Sequence, residues 1–216
     1  MKGSIYLKTY GRKRGRKNKY IINKYRKYVN EYLLKQIPLN KEIIVEIGSG
    51  NGENAIKLSK LNSNKLIIVC EVYIDGNVSL VNKLRKEKIV NVRIFEKNCF
   101  LLLEKLKKHS IQQFWILYPD PWPKKRHYKR RLINDKFIEI LHYTLKNEGK
   151  VYVATDDNQY FMDILLKFLN SKIFNWENDK PNYWSKPFKS MAKTSFFIKA
   201  KKSYKKSNFM IFNKKI

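Results

Sequence analysis

Residues 42–53 read EIIVEIGSGNGE. The first six, 42–47, are a short apolar run suited to a buried strand. The next five carry glycine at 48, 50 and 52, and ENAIKLSKL (53–61) then repeats apolar residues at helical spacing. A buried strand that turns sharply into a helix is the unit from which open α/β sheets are built. Gly48, Gly50 and Gly52 let the backbone turn tightly and come close to a ligand. A lone glycine-rich loop also serves as a plain strand-to-helix turn. Here the next strand ends in Glu71, 19 residues after Gly52, where a carboxylate can hold an adenosine ribose hydroxyl pair.

The same alternation continues outward. Ile21, Tyr25, Tyr28, Val29, Tyr32 and Leu33 predict an amphipathic helix over 18–34 with a cationic outer face. Strands are expected at 42–47, 65–72, 91–97, 113–119 and 150–155, and helices at 53–61, 76–88, 100–109, 132–145 and 158–169, with Gly149 ending the fourth of these helices and Asp157 capping the fifth. TSFFIKA (194–200) and NFMIFNK (208–214) read as two late strands joined by a connector short enough to force antiparallel pairing. The expected fold is α/β: a doubly wound, mostly parallel sheet with a C-terminal antiparallel hairpin. Residues 1–17 form a flexible basic arm and 18–216 a single domain. Ligands of such sheets bind beyond the carboxyl ends of the strands, which directs attention to Glu46, Glu71, Asn98, Asp120 and Asp156.

The charge points to a polyanionic partner. Lys and Arg number 47 against 18 Asp and Glu, a formal net charge of +29. An A+T-rich gene inflates Lys without selecting for binding, but would spread it evenly. Instead residues 1–36 hold twelve Lys or Arg and one acid, and 193–216 hold eight Lys and none, which favours nucleic acid. No stretch approaches the roughly 18 apolar residues that span a bilayer, and the N-terminus lacks the apolar region of a secretory signal; it is basic and acid-poor, so a transit peptide is the alternative. Cys70 and Cys99 have neither CxxC spacing nor a neighbouring His, so free thiols in a reducing cytoplasm are expected, with no metal site.

The glycine spacing is GxGxG, and Glu53 stands where a dinucleotide fingerprint has its third glycine. Glu46 precedes the loop. Two carboxylates there would repel a pyrophosphate and suit a cation, so S-adenosylmethionine, with its sulfonium and ammonium, is preferred over NAD. Asn98 is placed to bond the adenine edge.

YPDPWPKKRHYKRR (118–131) sets one acid between two prolines and follows it with six cations in eight residues. Pro119 and Pro121 fix φ on both sides of Asp120 and push the residues before each proline toward extended geometry. Asp120 is thereby fixed beyond the fourth strand. Trp122 offers a face for stacking a base. Lys124, Lys125, Arg126, Lys129, Arg130 and Arg131 can neutralise phosphates. Cations are unfavourable at a helix N-terminus, which itself suggests an external anion. His127 is either a nucleotide contact or an exposed bystander.

The string FWILYPDPWPKKRHYKRR resembles the signature of the tRNA guanine-N7 methyltransferase family. YGRKRGRK, EIGSGNGE, Glu71, ATDD (154–157) and TSFF (194–197) follow that family's order over about residues 8–214. The resemblance implies a class I methyltransferase fold, S-adenosylmethionine as donor and no metal. The expected reaction is methylation of guanosine N7 at position 46, in tRNA numbering, of the variable loop. A single-polypeptide enzyme is implied, monomeric or homodimeric, with tRNA as partner and no obligatory protein partner. By motif match Glu46, Glu71, Asn98 and Asp120 would contact the donor, and Lys124, Asp156 and Thr194 the substrate. Two departures stand out: Phe197 occupies the usual Glu of Thr-x-Phe-Glu, and Cys99 a usual Ala. Guanine N7 presents an exposed lone pair, so the chemistry asks for placement and needs no general base.

Three other readings compete. An adenine amino-methyltransferase uses Asn/Asp-Pro-Pro-aromatic, and Asp120-Pro121-Trp122 lacks its second proline. A non-catalytic tRNA-binding subunit could keep the fold, and Phe197 favours it. A nicotinamide oxidoreductase fits poorly with GxGxG.

Overall fold

The computed structural model describes residues 19–178 and 183–215; the arm expected at 1–17 lies outside them. The strands are β1 (Ile43–Ile47), β2 (Leu66–Cys70), β3 (Val92–Phe95), β4 (Ile111–Leu117), β5 (Leu145–Thr155), β6 (Phe174–Trp176) and β7 (Asn208–Lys214). They form one sheet in the order β3-β2-β1-β4-β5-β7-β6. β1 to β5 are mutually parallel, and β7 runs antiparallel to β5 and β6. The helices are α1 (Lys19–Val29), α2 (Glu53–Leu61), α3 (Ile74–Lys86), α4 (Cys99–Leu103), α5 (Asp135–Thr144), α6 (Asn158–Asn170) and α7 (Ser195–Lys202).

β1 and β2 are buried along their whole length, as strands covered on both faces must be. Alternate residues serve opposite layers. Ile43, Val45 and Ile47 join a core with Phe100, Phe137 and Ile164 of α4, α5 and α6. Ile44 joins Tyr25, Ala55 and Leu84 of α1, α2 and α3. The strand order reverses between β1 and β4, so the loops that leave these two strands flank a crevice. These loops are the glycine-rich turn and the Asp120 turn.

Residues 194–200 correct the expected strand. They belong to α7, whose N-cap Thr194 accepts a hydrogen bond from Phe197 N through Oγ1. Phe196 and Ile198 are exposed and Ala200 is buried, so the apolar residues do not mark a sheet face. The outer partner of β7 is β6, three residues long and too short to carry a period-two signal. The expected C-terminal antiparallel strands are present with this different member.

The helix expected over 132–145 is shorter at both ends. Asn134 Oδ1 accepts from Phe137 N, so α5 starts at Asp135. The cationic run is therefore a separate 3-10 turn, Lys125–Arg130, and does not oppose the α5 dipole; the acid Asp135 occupies that first turn, as the dipole favours. At the other end Gly149 does not close the helix. β5 begins at Leu145, and its register on β4 shifts between Ile111 and Gln113. Glu148 takes a φ of 58° there, and a Cβ on Gly149 would lie 2.8 Å from Leu145 Cδ2 and from Lys146 O. The glycine serves a bulge. α4 also stops early, at Leu103. Asp157 caps α6 as expected, accepting from Tyr160 N at 2.8 Å.

Candidate active site at the switch point

The turn after β1 is held from three sides. Gly48 N donates to Cys70 O of β2 at 2.8 Å. Glu71 fastens the loop from beneath: Oε2 accepts from Gly50 N at 2.9 Å and Oε1 from Tyr73 N at 2.8 Å. α3 closes the third side. A Cβ on Gly76 would meet Gly50 O at 2.2 Å, and one on Gly52, whose φ is 78°, would meet Leu80 Cδ1 at 2.5 Å. Gly76 has no glycine-motif neighbour, so only packing reveals that it belongs to the loop's support.

Glu46 lies at the base of the crevice, 1% exposed. Burial pushes its carboxyl up to about 8; the Asn54 amide pulls it down, and Glu53 and Glu71 add to the rise. Ser49 Oγ is buried without a hydrogen-bond partner, and Glu46 Oε2 and Asn54 Nδ2 are buried near one another without meeting hydrogen-bond geometry, so the Asn54 amide acts on Glu46 only as a weak, off-geometry contact. Buried polar groups are ordinarily satisfied, and three atoms short of a full hydrogen bond within residues 46–54 mark a loop that lacks its ligand's polar groups. Burial also raises Glu71, against the opposing pull of its backbone donors, and the charge of Asp120 adds to the rise. The donor set is rich in carboxylate oxygen. It fits a ligand with hydroxyl donors and positive charge, as S-adenosylmethionine has, and opposes a pyrophosphate. Asn98 caps α4, its Oδ1 accepting from Phe100 N at 2.9 Å.

Across the crevice, Asp120 is exposed. Its charge reaches both Glu71 and Tyr160. The expectation of extended geometry before Pro119 fails, since Tyr118 has φ 55°, whereas Asp120 before Pro121 is not left-handed; Trp122, before Pro123, also has a positive φ of 44°. Two left-handed residues thus flank Asp120, a strained arrangement for aromatic side chains. Tyr118 is held by its N–H to Ala154 O at 2.7 Å and by its hydroxyl to Ser207 Oγ at 3.2 Å. Burial raises its phenol to about 12, and the nearby charge of Asp156, just past β5, adds to the rise.

Arg131, expected among the phosphate contacts, is 3% exposed and points inward. Its Nε donates to Pro121 O at 2.9 Å and its Nη1 pairs with Asp163 at 3.1 Å. Tyr128 and Tyr160 lie against the guanidinium at 3.7 and 4.8 Å. It braces the Asp120 turn and does not meet solvent. Arg130 lies 5.0 Å over the Trp122 ring and His127 meets its edge, so this indole already carries neighbours on a face and an edge. Lys124, Lys125, Arg126 and Lys129 are exposed. Partial desolvation and then four surrounding cations lower the His127 pKa.

α7 supplies a wall that the strand reading could not foresee. Ser195 Oγ donates to Glu53 Oε1 at 2.7 Å and accepts from Asn51 Nδ2 at 3.2 Å. Phe196 lies 3.7 Å from the Cβ position of Gly50 and stacks along Tyr118. Thr194 is buried, with its oxygen engaged in the helix cap. Phe197 turns away toward Phe209.

A family model described as "Putative methyltransferase" matches residues 40–210. The tRNA (guanine-N(7)-)-methyltransferase of Neorickettsia sennetsu is 36% identical over 180 residues, covering 81% of this chain and 82% of that protein. That of Wolbachia pipientis is 34% identical over 181 residues, covering 83% and 78%. This chain belongs to the tRNA (guanine-N7)-methyltransferase family. A solved structure entitled "Structure of an antibiotic related Methyltransferase" covers 95% of this chain and 98% of its own, with a TM-score of 0.57 at 17% identity, which shows the fold: a class I methyltransferase sheet.

Within this family member the donor-side acids and the cationic run lie at different depths, with Asp120 exposed alongside the cations. The acids Glu46 and Glu71 lie at or below the level of the loop, and the free ends of Lys124, Lys125, Arg126 and Lys129 lie outside it. Among the described residues no helix is long and apolar enough to cross a membrane.

Proposed function

We propose that this chain transfers the methyl group of S-adenosylmethionine to N7 of a guanosine in tRNA, at position 46 of the variable loop. The observation that carries this reading is a buried carboxylate oxygen on Glu46, short of a full hydrogen bond, at the foot of the glycine loop, with exposed Asp120 and a cationic run at the crevice mouth. The bound donor supplies an electrophilic methyl on a sulfonium. Glu46 and Glu71 counter its positive charge and accept from its hydroxyl and ammonium groups, Asn98 serves the adenine edge, and the backbone at Gly48, Gly50 and Gly52 admits it closely.

Guanine N7 needs no proton removed, so no residue has to act as a base. Holding the nucleophile in line is worth roughly 7–11 kcal/mol of barrier. Asp120 orients the base and stabilises the cation that forms on it. Asp156, Lys124 and Thr194 line the guanosine side, and Lys125, Arg126, Lys129 and Arg130 with Trp122 hold the strand.

The test is transfer from labelled S-adenosylmethionine to unmodified tRNA, followed by nucleoside mass spectrometry. The product expected is 7-methylguanosine, with Asp120→Asn slower by about 10²–10³. Methyladenosine as product would establish the adenine reading, and no product at all would establish a binding subunit.

A further inference from the structure

Beside α7, away from the glycine loop, a recess of about 320 Å³ is lined by Pro187, Phe197, Lys201, Tyr204, Lys205, Lys206, Ser207 and Phe209 among others. Its lining combines three aromatic residues with three lysines and no acid. None of the three is in an ion pair among the described residues. Ser207 joins it to the crevice, through its contact with Tyr118.

Tyr204 is the odd residue. It is 99% exposed, with φ 55°. Its N–H donates to Lys201 O and that of Lys205 to Ala200 O. This pair of bonds closes a helix by the Schellman pattern, in which the left-handed position is ordinarily glycine. α3 closes in the same way on Lys88, with φ 53°, so a left-handed side chain at a helix end is not peculiar to this site. What sets Tyr204 apart is a costly left-handed aromatic whose ring has nothing packed around it.

We infer that this recess is a subsite for a nucleotide flanking the target guanosine, its base stacked on Tyr204 and its phosphates held by Lys201, Lys205 and Lys206. The inference rests on the tRNA reading above. Aromatic faces beside lysines take single-stranded bases without reading their identity, and the absence of acids suits a phosphate backbone. The position next to Tyr118 is where a strand must continue once one of its nucleotides occupies the crevice.

The experiment measures tRNA affinity, donor affinity and melting temperature on the full chain. Tyr204→Gly should melt roughly 2–4 °C or more higher, since the left-handed strain is relieved. It should bind unmodified tRNA about tenfold more weakly, with donor affinity unchanged. A residue serving stability alone could not give opposite signs. The triple variant Lys201→Ala, Lys205→Ala, Lys206→Ala should lower the slope of log affinity against log salt by about 2. A wild type that makes 7-methylguanosine while both variants bind tRNA normally overturns the subsite alone. Losses of tRNA binding in both variants, with no methyl transfer by the wild type, support the subsite and remove the activity.

Discussion

The Glu46 carboxyl offers a direct measurement of what the crevice is built to hold. Raised to about 8 by burial, it is about 0.3% ionised at pH 5.5 and about 24% at pH 7.5. If the cationic donor binds only the ionised form, affinity rises nearly a hundredfold over that interval, roughly tenfold per pH unit. The donor's amine, with an ordinary pKa of about 8, is fully charged at pH 5.5 and about three-quarters charged at pH 7.5, which trims the expected rise to roughly fifty- to sixtyfold. Calorimetry at pH 7 in buffers of different ionisation enthalpy should show close to one proton released per donor bound. Glu46→Gln should bind weakly with a flat profile. The stability sign runs the other way. A carboxyl whose folded pKa is raised contributes stability below its unfolded value near 4.5, and that contribution is lost as pH rises to about 8. Glu46→Gln should therefore melt higher than wild type at pH 8, with little difference at pH 4.5. A donor affinity that is flat between pH 5.5 and 7.5, with no proton released, refutes the placement of Glu46 beneath the donor's positive charge.

Other perturbations test the supports. Gly76→Ala drives a methyl to within 2.2 Å of Gly50 O, which should cost about 1–3 kcal/mol and weaken donor binding, read together by urea unfolding and calorimetry. Arg131→Ala strips Pro121 O and Asp163 of their shared partner; a loss of about 2–4 kcal/mol is expected in urea unfolding, and Arg131→Lys should recover only part of it because one ammonium cannot span both groups. Replacing Lys124 and Lys125 with Ala should reduce the salt slope of tRNA affinity by about 0.7–0.9 for each phosphate no longer neutralised, without altering donor affinity.

The parallel half of the fold was readable because β1 and β2 are continuous apolar runs set between helices with clear periodicity. The donor side followed from the glycine loop after β1 and from the carboxylate of Glu71 at the end of the next strand, 19 residues after Gly52. Legibility stopped where a pattern has two meanings. FFIK is a short apolar run that suits a strand as well as a helix, and the Thr194 cap favours the helix. Arg131 shares its sequence context with five outward cations, and only the position of Tyr160 and Asp163, 29 and 32 residues away, turns it inward. Gly76 and Tyr204 carry no motif, and Phe196 lies in TSFF without its place against Gly50 and Tyr118 being readable there. Their significance lies in a backbone oxygen, a ring and a torsion that meet only in the folded chain.

The place of β7 in the sheet also sets the order in which the molecule can be completed. β5 and β6 both pair with β7, so the outer edge of β5 stays open while residues 156–207 leave the ribosome. β6 meanwhile has emerged with nowhere to dock. An unpaired edge invites pairing between chains. Slow translation over that stretch, or truncation before Asn208, should therefore convert this enzyme into aggregate even though every residue of the glycine loop has already been made.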